Sequence, residues 1–262
     1  EKLDEDKIKK PIDIYGDRKN SKGLDLSEED VVESFQFNRK FKDIKAYSLI
    51  NGKDIKSDKE IDIKSPHSSS VLGKKYFADE KISETAIESL KEYSSKWKKF
   101  PIEKKAEIFL KFANLIEDNT NDIIEICAKE SGKSIKNSIA EIREAIDFCR
   151  YYSKEALNLF QTQTLKGPTG ELNQYRMIGK GLSFVVSPWN FPVAIFIGQT
   201  VAALITGNVV ITKPAEQSSF AAYYIIKLLL KAGLPSNAIA LLLGDGALIG
   251  KKVINDKKLK NV

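Results

Sequence analysis

The chain has 262 residues, 42% hydrophobic and 30% charged, which is enough apolar content for a substantial buried core and too much for a disordered chain. Its 42 basic and 36 acidic side chains leave a formal charge of +6, without the interleaved aromatic and basic residues of a nucleic-acid groove. Two cysteines and one histidine, His67, rule out a disulfide framework, a zinc site of ordinary ligand spacing and a Ser-His-Asp triad, and they suit a reducing cytoplasm.

Residues 1–10 are almost wholly charged, the opposite of a signal peptide, and a first residue other than Met leads us to expect a longer parent chain. Residues 1–45 read as a linker or arm, with the turn-rich run Tyr15-Gly16-Asp17-Arg18-Lys19-Asn20-Ser21-Lys22-Gly23-Leu24. Over 46–78, short alternations such as Ile61 and Ile63 lie between the turn pairs Asn51-Gly52 and Ser65-Pro66, predicting short strands in a hairpin-like entry. The period then becomes helical. Ile82, Ala86, Leu90, Tyr93 and Trp97 form one stripe, and Ile102, Ala106, Phe109, Ala113 and Ile116 form a second after Pro101. A short helix over 121–130 closes at Gly132, and a long one follows with Ile139, Ile142, Ile146, Cys149, Ala156 and Phe160 on one face. Cys127 and Cys149 fall in these helices and read as inert packing residues.

After the loop Gly167-Pro168-Thr169-Gly170 the rhythm is strand, helix, strand, helix, strand: apolar runs at 182–186, 208–212 and 238–243 alternate with helices at 193–206, 217–232 and from about 247. The fold class is therefore α/β, an N-terminal helical layer plus the first half of a Rossmann-type parallel sheet covered on both faces. A sheet cut after its third strand is expected to expose an apolar edge and to aggregate in isolation. The 32 residues of 181–212 carry no charge, but Pro188, Asn190 and Pro192 leave only 15 unbroken residues at 193–207, too short for a membrane span. Residues 181–262 hold 8 basic and 3 acidic groups, an excess that favours an anion such as a dinucleotide, although four of those five net charges lie in 251–260, read as a solvated helix face.

Ligands of such sheets bind beyond the carboxyl ends of the strands. Three polar loops lie there: Ser187-Pro188-Trp189-Asn190, Lys213-Pro214-Ala215-Glu216 and Gly244-Asp245-Gly246. Gly244, Gly246 and Gly250 make only a loose dinucleotide fingerprint. Ser131-Gly132-Lys133-Ser134 and Gly250-Lys251-Lys252 are not Walker loops, since neither has the preceding glycine in register and the second lacks Ser or Thr after the lysine.

In order along the chain, Glu130-Ser131-Gly132-Lys133, Ser187-Pro188-Trp189-Asn190-Phe191-Pro192, Gly207-Asn208, Lys213-Pro214-Ala215-Glu216 and Ala232-Gly233-Leu234-Pro235 resemble the aldehyde dehydrogenase superfamily, over roughly residues 46–262. The runs 13–16, 20–26 and 167–173 further resemble bifunctional proline-catabolic members, in which an arm joins a proline dehydrogenase barrel to an L-glutamate γ-semialdehyde dehydrogenase domain. The resemblance implies that 1–45 is such an arm and that 46–262 is the N-terminal, NAD-binding part of the dehydrogenase. It implies that Asn190 donates to the developing oxyanion, that Lys213 and Glu216 hold the adenosine ribose and favour NAD over NADP, that Ser187 and Trp189 line the cofactor channel, that Gly246 and Gly250 let the adenine approach, and that Phe191 borders the aldehyde cavity. Three of these have a plainer reading: Asn190 as a loop cap, Trp189 as core, Glu216 as a carboxylate at a helix N-terminus. Glu141 or Glu144 could meet a substrate amino group, but a solvated helix face is the expectation.

The nucleophilic cysteine, the general-base glutamate and the second glycine-containing cofactor loop of the family all fall beyond these motifs, so the chain alone is expected to be inactive. FAD is implied only with an upstream proline dehydrogenase domain, which would also supply any peripheral contact with the inner membrane. The complete enzyme is expected to be a homo-oligomer. Two other readings stay open: a dehydrogenase of another small aldehyde or semialdehyde, and a non-catalytic nucleotide-binding or assembly module.

Overall fold

The computed structural model describes residues 8–9, 13–35, 37 and 44–262, so most of the charged N-terminal run lies outside the described residues. Among its described residues the arm carries the short helix α1 (Glu29–Glu33), and five short strands follow: β1 (Ile44–Ala46), β2 (Ser48–Ile50), β3 (Lys53–Ile55), β4 (Glu60–Lys64) and β5 (Val71–Tyr76). β4 and β5 pair antiparallel, with β1 running parallel along β5. The β2–β3 hairpin turns through Asn51 and Gly52, both at positive φ as a tight two-residue hairpin turn requires.

The four helices predicted from the apolar stripes are α2 (Glu80–Lys98), α3 (Ile102–Asp118), α4 (Thr120–Ser131) and α5 (Ile135–Leu159). Local chemistry sets their ends: Asp79 caps α2 by accepting from Ile82 N at 2.7 Å, Pro101 precedes α3, Gly132 at φ +68° ends α4, and Ser134 caps α5. A small hairpin of β6 (Gln163–Leu165) and β7 (Asn173–Tyr175) spans the 167–170 turn.

The remainder is β8 (Leu182–Val186), α6 (Ala194–Ile205), β9 (Val209–Lys213), α7 (Ser219–Lys231), β10 (Ile239–Leu241), α8 (Gly246–Ile254) and β11 (Leu259–Asn261). The main sheet has the order β11-β8-β9-β10-β2-β3, in which β11, β8, β9 and β10 are parallel and β2 runs antiparallel beside β10. This corrects two expectations. The parallel sheet does not stop at a third strand, because the basic run 251–260 is the end of α8 followed by the start of a fourth strand, not one helix face. Its β10 edge is also not bare, because the β2–β3 hairpin covers it.

α6 and α7 lie on one face of this sheet beneath α3, α4 and α5, while α2 and α8 pack on the other. The small residues of α6 let α5 approach closely: a Cβ at Gly198 would stand 2.8 Å from Cδ2 of Phe148. The arm is strapped to the helical layer by polar groups. Buried Ser21 donates through N and Oγ to the Asp147 carboxylate at 2.7 and 2.9 Å, and Arg150 donates to the Asn20 carbonyl, Asn114 Oδ1 and Glu117 Oε2 at 2.9, 3.2 and 2.7 Å.

Two buried carboxylates tie the helical layer to the sheet layer. The first N–H groups of a helix have no partner within it, and in α6 and α7 they are buried. Glu130, near the end of α4, accepts from Phe220 N and Ala221 N of α7, both at 2.8 Å. Glu141, in the second turn of α5, accepts from Val193 N and Ala194 N at the start of α6, at 2.7 and 3.1 Å. Glu141 is thus neither solvated nor free for an amino group, whereas Glu144 is exposed.

Burial pushes the Glu130 carboxyl up to about 7, with the two backbone N–H groups and the Lys75 ammonium working against that rise. An acid that titrates near 7 in the folded chain and near 4.5 in the unfolded one holds its proton more tightly when folded, so stability falls as pH rises through that interval. Urea unfolding across pH 4.5–7.5 should therefore show the wild type losing about 3 kcal/mol relative to Glu130→Gln. Parallel stability curves would mean that the two N–H groups keep Glu130 ionised throughout.

Candidate active site

The loops after β8, β9 and β10 converge at the carboxyl ends of the parallel strands. The helix after β9 lies on one face of the sheet and the helix after β10 on the other, which opens a crevice between these two strands. Lys213, the last residue of β9, is 3% exposed, and its Nζ donates to Pro214 O at 3.0 Å and Glu216 Oε1 at 3.1 Å. The same Glu216 oxygen accepts from Gly246 N, the first residue of α8, at 2.8 Å across the crevice. Lys75, reaching in from β5, donates to the Glu216 carbonyl at 2.5 Å. Burial works to raise the Glu216 carboxyl, but its own backbone N–H, the Lys213 ammonium and Gly246 N outweigh that and hold it below the ordinary range.

This arrangement places an ammonium donor and an ionised carboxylate acceptor side by side, the pair that two adjacent sugar hydroxyls require. The glycines fit a flat ring beside them. A Cβ at Gly246 would sit 3.5 Å from Glu216 Oε1 and 3.7 Å from Lys213 Nζ, and at Gly250, one turn along α8, it would project into open space. Ser187, 3% exposed, holds its backbone N–H against Lys213 O at 3.2 Å, while its buried Oγ has no hydrogen-bond partner among the described residues. An orphaned hydroxyl beside that cradle suits a polar ligand. The N-termini of α6 and α7 are already filled by Glu141 and Glu130, so a dinucleotide's phosphates cannot take the seat those helices otherwise offer.

The loop between β8 and α6 carries Trp189, Asn190 and Phe191 to the surface. Trp189 is 56% exposed, which removes the reading of it as core, and Phe191 is 39% exposed. Among the described residues the Asn190 carboxamide makes no hydrogen bond within the protein, so it is not a loop cap. The backbone carbonyl oxygen of Asn190 accepts from Lys133 Nζ at 2.8 Å, and the same ammonium pairs with Glu141 Oε2 at 2.6 Å and lies 4.6 Å from the centre of the Phe191 ring. Sequence reasoning gives Lys75 no role, uses Glu130 and Lys133 only as parts of a motif, and offers Glu141 for a substrate amino group, not as a clamp. The signal available was an acid and a base three apart astride the helix-ending Gly132. Glu216 does serve a helix N-terminus, that of α8, without giving up its pairing with Lys213.

Cys127 and Cys149 are fully buried in α4 and α5, and burial pushes both thiols up, so neither is a nucleophile at neutral pH.

The sequence profile of the "Aldehyde dehydrogenase family" matches residues 54–262. The 1-pyrroline-5-carboxylate dehydrogenase of Bacillus subtilis is 34% identical over 215 residues, which is 82% of this chain and 42% of that protein. The bifunctional protein PutA of Salmonella typhimurium is 33% identical over 260 residues, 98% of this chain and 19% of its own length. The crystal structure of a 1-pyrroline-5-carboxylate dehydrogenase from Thermus with bound NAD superimposes with a TM-score of 0.87 at 26% identity, covering 92% of this chain and 48% of that one. The chain thus spans less than half the length of each of these relatives. A profile match over residues 54–262, most of the chain, means that this chain belongs to the aldehyde dehydrogenase family.

Proposed function

We propose that residues 46–262 are the N-terminal, NAD-binding part of a dehydrogenase that oxidises L-glutamate γ-semialdehyde to L-glutamate, with residues 1–45 as an arm leading into it. The observation that carries this reading is the meeting of Lys213, Glu216 and Gly246 across the β9–β10 crevice, one strand away from the exposed Asn190 carboxamide. Support for the substrate comes from the Bacillus and Thermus relatives, whose names specify 1-pyrroline-5-carboxylate, the cyclised form of the semialdehyde, and support for the cofactor from the NAD bound in the Thermus protein.

In this reading Lys213 donates to one ribose hydroxyl and Glu216 accepts from its neighbour, a carboxylate that would repel a 2′-phosphate. Ser187 and Trp189 line the channel, Gly246 and Gly250 admit the adenine, and Phe191 forms one wall of the aldehyde cavity. NAD, when bound, supplies the hydride acceptor. As a thiolate adds to the aldehyde carbonyl, negative charge builds on its oxygen, and the Asn190 carboxamide donates to that oxygen. With both cysteines of this chain buried, the thiolate comes from outside residues 1–262.

In the full-length protein, Asn190→Ala should lower kcat for NAD-dependent oxidation of glutamate semialdehyde by about 10²- to 10³-fold. Turnover that survives intact would remove Asn190 from the chemistry. Glu216→Gln should reduce the NAD over NADP ratio of kcat/KM by about tenfold, the equivalent of roughly 1.4 kcal/mol, and an unchanged ratio would take Glu216 away from the ribose. Residues 1–262 alone should bind NAD in a calorimeter yet form no NADH from the semialdehyde, whereas turnover by that chain would overturn the assignment of the nucleophile.

A further inference from the structure

We propose that Lys133, held by Glu141, is the positioning residue that sets the orientation of the Asn190 carboxamide. The inference rests on the reading of Asn190 as the oxyanion donor and extends it to the groups that aim it.

Lys133 is placed by both its neighbours. Gly132 ends α4 in the left-handed conformation, Lys133 N closes that end by donating to Cys127 O at 3.2 Å, and Ser134 begins α5 as its cap. From this pinned position the side chain, 13% exposed, runs to Glu141 Oε2 at 2.6 Å and Asn190 O at 2.8 Å, with the Phe191 ring 4.6 Å away. Glu141, its side chain 1% exposed, uses its other oxygen to hold Val193 N and Ala194 N. The loop is therefore fastened at the carbonyl of residue 190 and at the N–H groups of 193 and 194, and both fastenings run through one ion pair. Among the described residues the Asn190 carboxamide has no protein partner of its own, so its direction is inherited from its backbone, and the ammonium fixes the peptide that follows it. Without that ammonium, Glu141 Oε2 is left as a buried unpaired charge and the Asn190 carbonyl is released. Misplacing a catalytic group by about 1 Å is enough to slow a reaction by about 10²-fold.

The test is a double-mutant cycle in the full-length enzyme with NAD and L-glutamate γ-semialdehyde. Lys133→Met should lower kcat by about 10- to 100-fold while leaving the Kd for NAD within about twofold, and in an Asn190→Ala background it should change kcat by less than about twofold. That loss of effect is a signature that a merely structural role would not produce, because general destabilisation would slow both backgrounds equally. Lys133→Arg keeps the charge and should recover part of the loss. If Lys133→Met does not fold, Lys133→Arg serves in the same cycle, because its broader head cannot keep both contacts at their present distances. Equal losses in the two backgrounds, or full activity of Lys133→Met, would overturn the proposal. Undiminished turnover of Asn190→Ala alone would instead overturn the underlying reading of the site.

Discussion

Burying the start of a helix leaves N–H groups that neither the helix nor water can satisfy, and this chain meets that constraint with carboxylates borrowed from a neighbouring layer. Glu130 and Glu141 each close the first turn of one sheet-layer helix, α7 and α6. Each orphaned N–H left in their place would cost about 1–3 kcal/mol. Burying a carboxylate is itself unfavourable, and the structure offsets it by placing an ammonium near each, Lys75 by Glu130 and Lys133 by Glu141. The helical layer is consequently not an apolar lid free to slide. Its two acids index it against the sheet, and the loops beginning at those helix ends are indexed with it.

The same economy shapes the ligand crevice. Phosphates in doubly wound sheets commonly settle on helix N-termini. Here two of those ends are closed by internal acids, and the third, at α8, is bonded to Glu216. What remains open between β9 and β10 is a cradle for a sugar and a flat ring, bounded by glycines on one side and the Lys213–Glu216 pair on the other.

Much of this was legible because it depends on local chemistry. The stripes from Ile82 to Phe160 gave helices whose ends follow from Asp79, Pro101, Gly132 and Ser134. The loops at 187–190, 213–216 and 244–246 fell where strands end, so their convergence could be anticipated. The buried acids could not be read in the same way. Glu141 sits beside Ile139 and Ile142 as any solvent-facing acid on an amphipathic helix would, and only its partner 52 positions away reveals its burial. The strand β11 was equally opaque, since its three residues show no period, and the turn at Asn51-Gly52 announced a hairpin without showing that β2 borders β10. Trp189 could be taken for core because size and aromaticity usually mean burial, and only the fold shows it standing on a rim.

The antiparallel placement of β2 beside β10 bears on how the chain comes to be made. Leu243 N closes this part of the sheet onto Ser48 Oγ, a partner 195 positions earlier. At about 5–20 residues per second of synthesis, that separation is a wait of roughly 10–40 s between the emergence of the hairpin and the arrival of its strand. Leu49 and Ile50, 2% and 5% exposed once folded, spend that interval without the neighbour that buries them. A hairpin made early in this chain is thus seated late, because β10, the strand that it borders, is made long after it.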